Sequence, residues 1–347
     1  MDQIIECVPN FSEGRNPFVI SQIVCAIQEE PGIRLLNVDP GKATNRTVIT
    51  FAGAPGAVIE AAFRGIKKAS ELIDMRDHHG EHPRFGATDV CPLVPVSGIS
   101  LEETSRYARQ LAKRVGEELL IPVYCYEAAA FDEKRISLAN CRAGEYEGLP
   151  KKLANPLWKP DYGPAVFNER SGAVTIGARN FLIAYNVNLD TSSSREAKAI
   201  ACEIRESGSA CSGPYKGWAS VDENGRPVRA PGLLKKVRAI GWYIEEYGIA
   251  QVSMNLIDLT VTPMHRAFEE VRKSAERRGL HVTGSELIGL LPLQALLDAG
   301  RYFATRESIS PASSDEGLVD IAIRAMGLDE LTPFDPQKRV IEYLLAR

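Results

Sequence analysis

Three of the five histidines of this 347-residue chain fall within residues 78–82. They lie in the stretch RDHHGEHPRFGATDVCP, residues 76–92, which glycine and proline interrupt repeatedly. Such residues disfavour regular structure and predict a loop between two elements. An imidazole in a loop of this kind can accept and donate a proton near neutral pH. The alternative is a solvated loop in which His82 hydrogen-bonds a backbone carbonyl.

The same stretch contains the pattern H-x-x-E-H, formed by His78, Glu81 and His82, which binds zinc in one class of metalloprotease. That pattern depends on a helix, where residues four apart lie on one face. Gly80 interrupts the turn, and Pro83 pushes His82 out of the helical conformation. We therefore expect no metal here. Phosphate-binding loops and dinucleotide fingerprints are also absent from the sequence, so we expect no nucleotide.

Two further stretches carry polar side chains directly beside predicted strands. They are CVPNFSEGR and NVDPGKATNRT, with the polar residues Asn10, Ser12, Asp39, Asn45 and Arg46. Taken singly, each stretch also fits an ordinary turn, where Asn, Asp, Ser and Gly are favoured. In a β-α-β-β-α-β unit, however, the ends of the first two strands can face a common side. The two stretches can then share one site with the histidine loop.

Hydrophobic periodicity predicts the order β-α-β-β-α-β twice. The first round has strands at 4–10, 33–39, 46–53 and 89–96 and helices at 17–29 and 56–73, extended by a helix at 101–119 and a strand at 122–127. The second has strands at 181–190, 237–245, 250–258 and 285–292 and helices at 194–207 and 263–278. Residues 141–180 and 207–232 are predicted to be rich in loops. We predict an α+β protein with two ferredoxin-like subdomains, 1–180 and 181–330, and a helical tail over 331–347.

Composition excludes several functional classes. The net charge is −4, whereas a nucleic-acid-binding protein normally carries a basic face. The sequence has no apolar run near the roughly 20 residues of a membrane helix, and its acidic N-terminus is unlike a signal peptide. The seven cysteines are odd in number, widely spaced and without a C-x-x-C pair, which indicates reduced thiols. We expect a cytoplasmic protein that binds neither nucleic acid nor membrane.

Six stretches, in order along the chain, resemble the formiminotransferase family, the glutamate formimidoyltransferases. They are ECVPNFSEGR, TNRTVITFAG, HHGEHPRFGATDVCP, AGEYEGLPKKL, GARNFLIAYNVNL and KKVRAIGWY. The resemblance extends to about residue 330, and His82 matches the catalytic histidine of the family. It implies two ferredoxin-like subdomains that meet near residue 180 and enclose a folate groove, in a protein that is at least a dimer. We therefore expect a homodimer.

The resemblance also implies an activity. The family transfers the formimidoyl group of N-formimidoyl-L-glutamate to N5 of tetrahydrofolate, a co-substrate, and releases L-glutamate in histidine degradation. In vertebrates the domain is fused to a cyclodeaminase. This chain ends at Arg347, so we expect a separate cyclodeaminase to act on the product.

The family's folate-contacting stretch corresponds to residues 163–172, GPAVFNERSG. Gly163, Pro164, Phe167 and Gly172 match the family pattern, whereas residues 168–171 depart from it. The 207–232 segment is longer than in the vertebrate proteins and is either a lid or a plain loop. The lysine pairs 151–152 and 235–236 either attract the folate tail or form a solvated face, and we prefer the solvated face.

The residues suggest a mechanism for such a transfer. The amidine of the donor is a cation, which Asp39 or Glu81 would hold. An imidazole with a pKa near neutrality would move the proton from N5 to the leaving nitrogen, a role that we assign to His82. Arg46 and Arg84 would bind the donor's carboxylates.

The polar side chains of Asn10, Ser12 and Asn45 complete the predicted substrate-binding set. Two other functions remain open from the sequence. One is formyl transfer between 5-formyltetrahydrofolate and glutamate, which needs similar proton movements. The other is a folate-binding protein without catalytic activity.

Overall fold

The computed structural model describes residues 3–208, 230–306 and 314–345. The chain divides into two compact units between Phe181 and Leu182, each with one β-sheet and packed helices, and it is an α+β protein as predicted. Most of the 207–232 segment lies outside the described residues, so its role stays a prediction. None of the described helices combines the length and apolarity that a membrane span requires.

The first unit contains a seven-stranded sheet. Its strands are β1 (Ile4–Cys7), β2 (Asn10–Phe11), β3 (Ile33–Gly41), β4 (Arg46–Gly53), β5 (Thr88–Ser97), β6 (Val123–Glu127) and β7 (Val174–Ala178). Its helices are α1 (Pro17–Gln28), α2 (Pro55–Leu72), α3 (Leu101–Glu118), α4 (Leu138–Arg142) and α5 (Leu149–Leu153). β3 lies at one edge beside β4, and both β1 and β2 lie between β4 and β5. β7 and then β6 extend the sheet in parallel with β5.

One strand prediction for this unit was wrong, and one strand was missed. The strand predicted at 4–10 is interrupted after Cys7, because Pro9 has no N–H to donate to a neighbouring strand. Residues 141–180 are rich in loops as predicted, but they also contain the short helix α5 and the buried strand β7, which the sequence analysis did not identify. A short apolar run such as β7 carries little periodicity, so only its position between β5 and β6 defines it as a strand.

The second unit contains a four-stranded antiparallel sheet in the order β11-β8-β10-β9. The strands are β8 (Ile183–Leu189), β9 (Val237–Ile244), β10 (Ile249–Leu256) and β11 (Val282–Ile288). The helices are α6 (Ser194–Ile204), α7 (Met264–Glu276), α8 (Leu293–Arg306), α9 (Asp315–Met326), α10 (Pro336–Arg339) and α11 (Ile341–Leu345). The strand predicted at 285–292 lies instead at Val282–Ile288, because the register shift between Val282 and Gly284 interrupts the two-residue periodicity on which the prediction depended.

Candidate active site

The loop that holds the three histidines connects α2 to β5 and contains no helix over residues 78–87. It packs against the turn between β3 and β4, where the Glu81 N–H donates to the Ala43 carbonyl at 3.3 Å. Gly80 is required at this contact, since a Cβ atom there would lie 2.3 Å from the Thr44 carbonyl oxygen. Glycine therefore allows the close backbone approach that brings two of the predicted stretches together.

Asn45 connects three loops. It has a φ of +47°, a conformation that asparagine tolerates better than most residues. Its side chain donates to the His79 carbonyl and accepts from the Gly14 N–H, both at 3.0 Å. The buried ring of His78 donates from Nε2 to the Asn45 carbonyl at 2.8 Å. Asn45 and His78 thus support the loops structurally, and the predicted contact of Asn45 with substrate stays a prediction.

Ser12 has a similar structural position. Its hydroxyl donates to the Gly86 carbonyl at 2.7 Å, and its backbone N–H donates to the Ala87 carbonyl at 2.9 Å. Ser12 is 2% exposed, so its hydroxyl and its N–H hold the end of the histidine loop from the protein interior. A direct role of Ser12 in substrate binding also stays a prediction.

The contacts of His82 Nδ1 indicate the tautomer of the ring. Nδ1 lies 2.7 Å from the Pro83 carbonyl oxygen, which only accepts, and 3.2 Å from Arg46 Nη1, which only donates. Because the contact with the carbonyl is the shorter and Arg46 Nη1 also donates to Asp89, we assign the proton to Nδ1 and the lone pair of the neutral ring to Nε2. The ring is therefore oriented by its first nitrogen, so that Nε2 is the proton acceptor.

Next to His82, a buried carboxylate joins two guanidinium groups. Asp89 Oδ2 contacts Nη1 of Arg46 and lies 2.9 Å from Nη2 of Arg142. Arg46 Nε donates to Oδ1 of Asn10 at 3.0 Å, and Arg142 Nη2 also donates to the Pro83 carbonyl. Arg46 and Asn10, both predicted for the site, thus lie together. We refer to His82, Arg46, Asp89 and Arg142 as the His82 cluster.

Asp89 and Arg142 were not identified from the sequence. Asp89 lies in the diagnostic stretch, but from the sequence it is only the first residue of a predicted strand. An acidic residue opening an otherwise apolar run, DVCPLVPV, is the signal that indicates a buried ion pair. Arg142 ends the short helix α4 and reaches the cluster only through tertiary packing.

The charge around His82 determines its protonation state. Burial and the nearby Arg46 and Arg142 lower the pKa of His82 to about 3. Burial lowers the pKa of Arg46 to about 10, so it stays charged at pH 7. Burial raises the pKa of Asp89, but Arg142 and Arg46 lower it by more, so that the pKa of Asp89 lies below its usual value. The near-neutral pKa expected for His82 from the sequence was wrong, because that expectation neglected the burial of the ring and these two cations.

The lowered pKa of His82 can be measured in the absence of substrates. The ring of His82 should remain neutral from pH 8 down to about pH 5, because its pKa lies below the ordinary value near 6.5. Histidine side-chain NMR during a pH titration measures this, and the missing signal in His82→Ala assigns the resonance among the five histidines. A His82 midpoint near 6.5 would show that the guanidinium groups do not act on the ring.

Asp39, Glu81 and Arg84, also predicted for the site, lie in different environments. Asp39 is half-buried in β3, opposite Val48, and Glu81 is exposed in the loop beside His82. Arg84 donates to Glu147 at 3.0 Å and contacts Glu145 at 3.6 Å, and it donates to the His78 carbonyl at 3.3 Å. Protein carboxylates therefore compensate its charge, and its predicted contact with substrate stays a prediction.

The stretch predicted to contact folate supports the histidine loop from the other side. Gly163 and Gly172 have φ values of +80° and +66°, and a Cβ atom at Gly172 would lie 2.4 Å from the Phe85 carbonyl oxygen. Phe167 contacts Tyr146 with ring centroids 5.4 Å apart.

Within residues 168–171, which depart from the family pattern, the Arg170 and Ser171 carbonyls accept from Met75 and Ala87 at 2.9 Å. These residues therefore hold both ends of the loop. Pro164 is half-buried near the start of the stretch. The folate contacts stay predictions.

Lys152 was predicted to lie on a solvated face, and this was wrong. Its side chain is buried, and Nζ donates to the carbonyls of Asn140, Cys141 and Ala143 at 3.0, 2.6 and 3.1 Å. Nζ also lies 4.2 Å from the ring centroid of Trp158. Burial lowers its pKa to about 8. Lys152 thus binds the C-terminal carbonyls of α4, the helix that presents Arg142.

Replacing Lys152 with methionine should therefore destabilise the first unit. Three carbonyls lose a charged donor, which is expected to lower the free energy of unfolding by about 2–4 kcal/mol. Urea denaturation measures the change. Lys151→Met is the matched control, because Lys151 is exposed and should leave the midpoint nearly unchanged. Equal midpoints for the two variants would disprove the structural role of Lys152.

Among the described residues, no group of three or more His, Cys, Asp or Glu side chains is arranged to hold a metal ion. The site is instead built from one neutral imidazole and an arginine-rich ion pair. Comparison with known proteins shows the family of the chain. Residues 4–179 match the formiminotransferase domain, N-terminal subdomain, and residues 184–346 match the formiminotransferase domain.

The chain belongs to the formiminotransferase family.

Relatives of this formiminotransferase chain occur in mammals, bacteria and archaea. It is 48% identical over 345 residues to the formimidoyltransferase-cyclodeaminase of Mus musculus, covering 99% of this chain and 60% of the mouse protein. It is 42% identical to the glutamate formimidoyltransferase of Streptococcus pyogenes serotype M1, covering 87% of this chain and 94% of that protein. The glutamate formimidoyltransferase of Thermoplasma acidophilum is 43% identical, covering 86% of this chain and 92% of that protein. The chain thus spans three fifths of the length of the bifunctional relatives.

Proposed function

We propose that this protein transfers the formimidoyl group of N-formimidoyl-L-glutamate to N5 of tetrahydrofolate. The products are 5-formimidoyltetrahydrofolate and L-glutamate. The main support is the His82 cluster, in which a neutral, oriented imidazole lies beside two cations. The two relatives named glutamate formimidoyltransferase, each covered over more than nine tenths of its length, support the same reaction.

The proposed chemistry uses the Nε2 atom of His82. N5 attacks the amidine carbon, forming a C–N bond and a tetrahedral adduct in which N5 carries an extra proton. Nε2 accepts this proton and then donates it to the glutamate nitrogen. The bond between that nitrogen and the former amidine carbon breaks, and glutamate leaves with the proton. The hydrogen bond from Nδ1 to the Pro83 carbonyl keeps Nε2 directed at the adduct during both transfers.

The other predicted site residues complete the proposal. Asp39 and Glu81 would contact the amidine cation, with His82 as the proton shuttle. Arg46, Asn10, Ser12, Asn45 and Arg84 would contact the donor, directly or by holding the loops. Gly163, Pro164, Phe167 and Gly172 would form the folate-binding stretch, and the exposed part of Phe167 is suited to packing against a pterin or aminobenzoyl ring.

We also infer the finer features of architecture and context. The second unit is inferred to be ferredoxin-like, because its strand order β11-β8-β10-β9 corresponds to fourth-first-third-second. The first unit is inferred to contain the same core, with β6 and β7 added. We further propose a cytoplasmic homodimer in histidine degradation, with tetrahydrofolate as co-substrate and a separate cyclodeaminase as the next enzyme.

A donor comparison tests the proposed reaction. The purified protein is incubated with tetrahydrofolate and N-formimidoyl-L-glutamate, and product is measured spectrophotometrically after acid conversion to 5,10-methenyltetrahydrofolate. Parallel reactions contain N-formyl-L-glutamate, or 5-formyltetrahydrofolate with L-glutamate. We expect turnover chiefly with the formimidoyl donor. Equal turnover of formyl donors would favour formyl transfer, and tight tetrahydrofolate binding without turnover would favour a non-catalytic folate-binding protein.

A further inference from the structure

The His82 cluster carries one positive charge that no group within it compensates. Arg46 and Arg142 have side chains that are 11% and 15% exposed, and they share the single carboxylate of Asp89, which is fully buried. His82 is neutral at pH 7. A charge held this far from water is costly unless an opposite charge pairs with it. The cluster is therefore suited to receive an anion.

Arg142 has unused hydrogen-bonding capacity for such an anion. Its Nη2 atom contacts both Asp89 Oδ2 and the Pro83 carbonyl. In the part of the chain that the structure describes, its buried Nε atom has no hydrogen-bond partner. Arg84 differs, since both of its terminal nitrogens already contact carboxylates. The planar fork of an arginine favours a carboxylate as the ligand.

We propose that Arg142, together with Arg46, binds a carboxylate of the donor's glutamate moiety beside His82. This inference rests on the proposed formimidoyl transfer and adds the residue that recognises the leaving group. It assigns to Arg142 the role expected of Arg84 from the sequence, which is to bind a carboxylate of the donor. Lys152 supports it, because it fixes the end of α4 from which the guanidinium extends.

Carboxylate binding has a consequence for catalysis. The charged groups that face the His82 ring come from three elements: Arg46 from β4, Arg142 from α4 and Asp89 from β5. A bound carboxylate would cancel the excess positive charge and raise the pKa of His82. The imidazole would then become a stronger base only when the donor is present. Donor recognition and proton transfer are coupled through the same two guanidinium groups.

Arg142→Met tests the inference, with Arg142→Lys as the variant that keeps the charge but loses the fork. Glutarate and L-glutamate serve as carboxylate probes at constant ionic strength, and the readouts are their dissociation constants and the His82 NMR titration. In the wild type, glutarate should raise the His82 pKa by at least about one unit. Arg142→Met should weaken glutarate binding at least about tenfold, and Arg142→Lys should do so less. Arg106→Met, which removes an exposed arginine that pairs with Glu102, should bind glutarate like the wild type.

Two results would overturn the inference: glutarate binding by Arg142→Met as tight as the wild type, or no effect of glutarate on His82. If Arg142→Met does not fold, Arg142→Lys decides by the same criteria. Turnover separates this inference from the proposed function. A wild type that turns over the donor, with a KM unchanged by Arg142→Met, retains the reaction and disproves the inference. Arg142-dependent glutarate binding without turnover retains the carboxylate site and disproves the reaction.

Discussion

Replacing His82 with alanine is expected to lower kcat by about 10²–10⁴-fold, the usual contribution of general acid–base catalysis. The variant removes the Nε2 atom that carries the proton between the two nitrogens. The fold should persist, because the Pro83 carbonyl retains the hydrogen bond from Arg142 when the imidazole is lost. The dissociation constant for tetrahydrofolate should change by less than about threefold, as expected when an interaction acts in the transition state.

His79→Ala is the matched control for this prediction. His79 lies three residues earlier in the same loop, and its side chain is exposed, while its backbone carbonyl accepts from Asn45 in either variant. Its kcat should stay within about twofold of the wild type, as expected for a side chain outside the reacting groups. Unchanged kcat in His82→Ala, or an equal loss in both variants, would remove His82 from the mechanism.

Replacing Asp89 with asparagine should be more damaging to the fold than any other isosteric change in the cluster. The substitution leaves the guanidinium groups of Arg46 and Arg142 buried together without their carboxylate. Breaking a buried ion pair in this way typically costs about 3–5 kcal/mol of folding free energy. It should also lower the pKa of His82 further, because Asp89 is the acid that partly offsets the two cations.

Chemical denaturation and steady-state kinetics measure these two effects of Asp89→Asn separately. Asp74→Asn is the control, since Asp74 pairs with the exposed Arg76 in the same loop, and it should leave both the midpoint and kcat close to the wild type. A stable and fully active Asp89→Asn variant would show that the shared carboxylate is dispensable. Loss of activity at unchanged stability would show that Asp89 positions the two arginines for catalysis and does not stabilise the fold.

Local rules predicted the parts of the fold that depend on the backbone. Gly80 and Pro83 predicted a non-helical histidine loop, and the stretch RTVITFAG was predicted as a strand at the bounds observed for β4. The strand order could be anticipated only in outline, because periodicity identifies strands but does not pair them. For the same reason β7, a short apolar run, was recognised only once its two parallel neighbours were known.

The electrostatics of the site could not be predicted from the sequence. Arg46 was expected near His82, because both residues were predicted beside strand ends that can face a common side of the sheet. Arg142 lies 60 positions after His82 in a five-residue helix, and only packing brings its guanidinium to Asp89. The burial of Lys152 could not be predicted either, because two adjacent lysines in a sequence are typical of a solvated face. Burial and the sum of nearby charges set the pKa of His82, and both are properties of the tertiary structure.

The most direct test of the proposed reaction follows the transferred carbon itself. N-formimidoyl-L-glutamate labelled with ¹³C in the formimidoyl group is mixed with equimolar tetrahydrofolate and excess enzyme, and the label is followed by NMR. We expect the label to move to N5 of tetrahydrofolate with release of one L-glutamate per label, and to remain on the donor with His82→Ala. Label that stays on glutamate in the wild type, with both substrates bound, would contradict the proposed function.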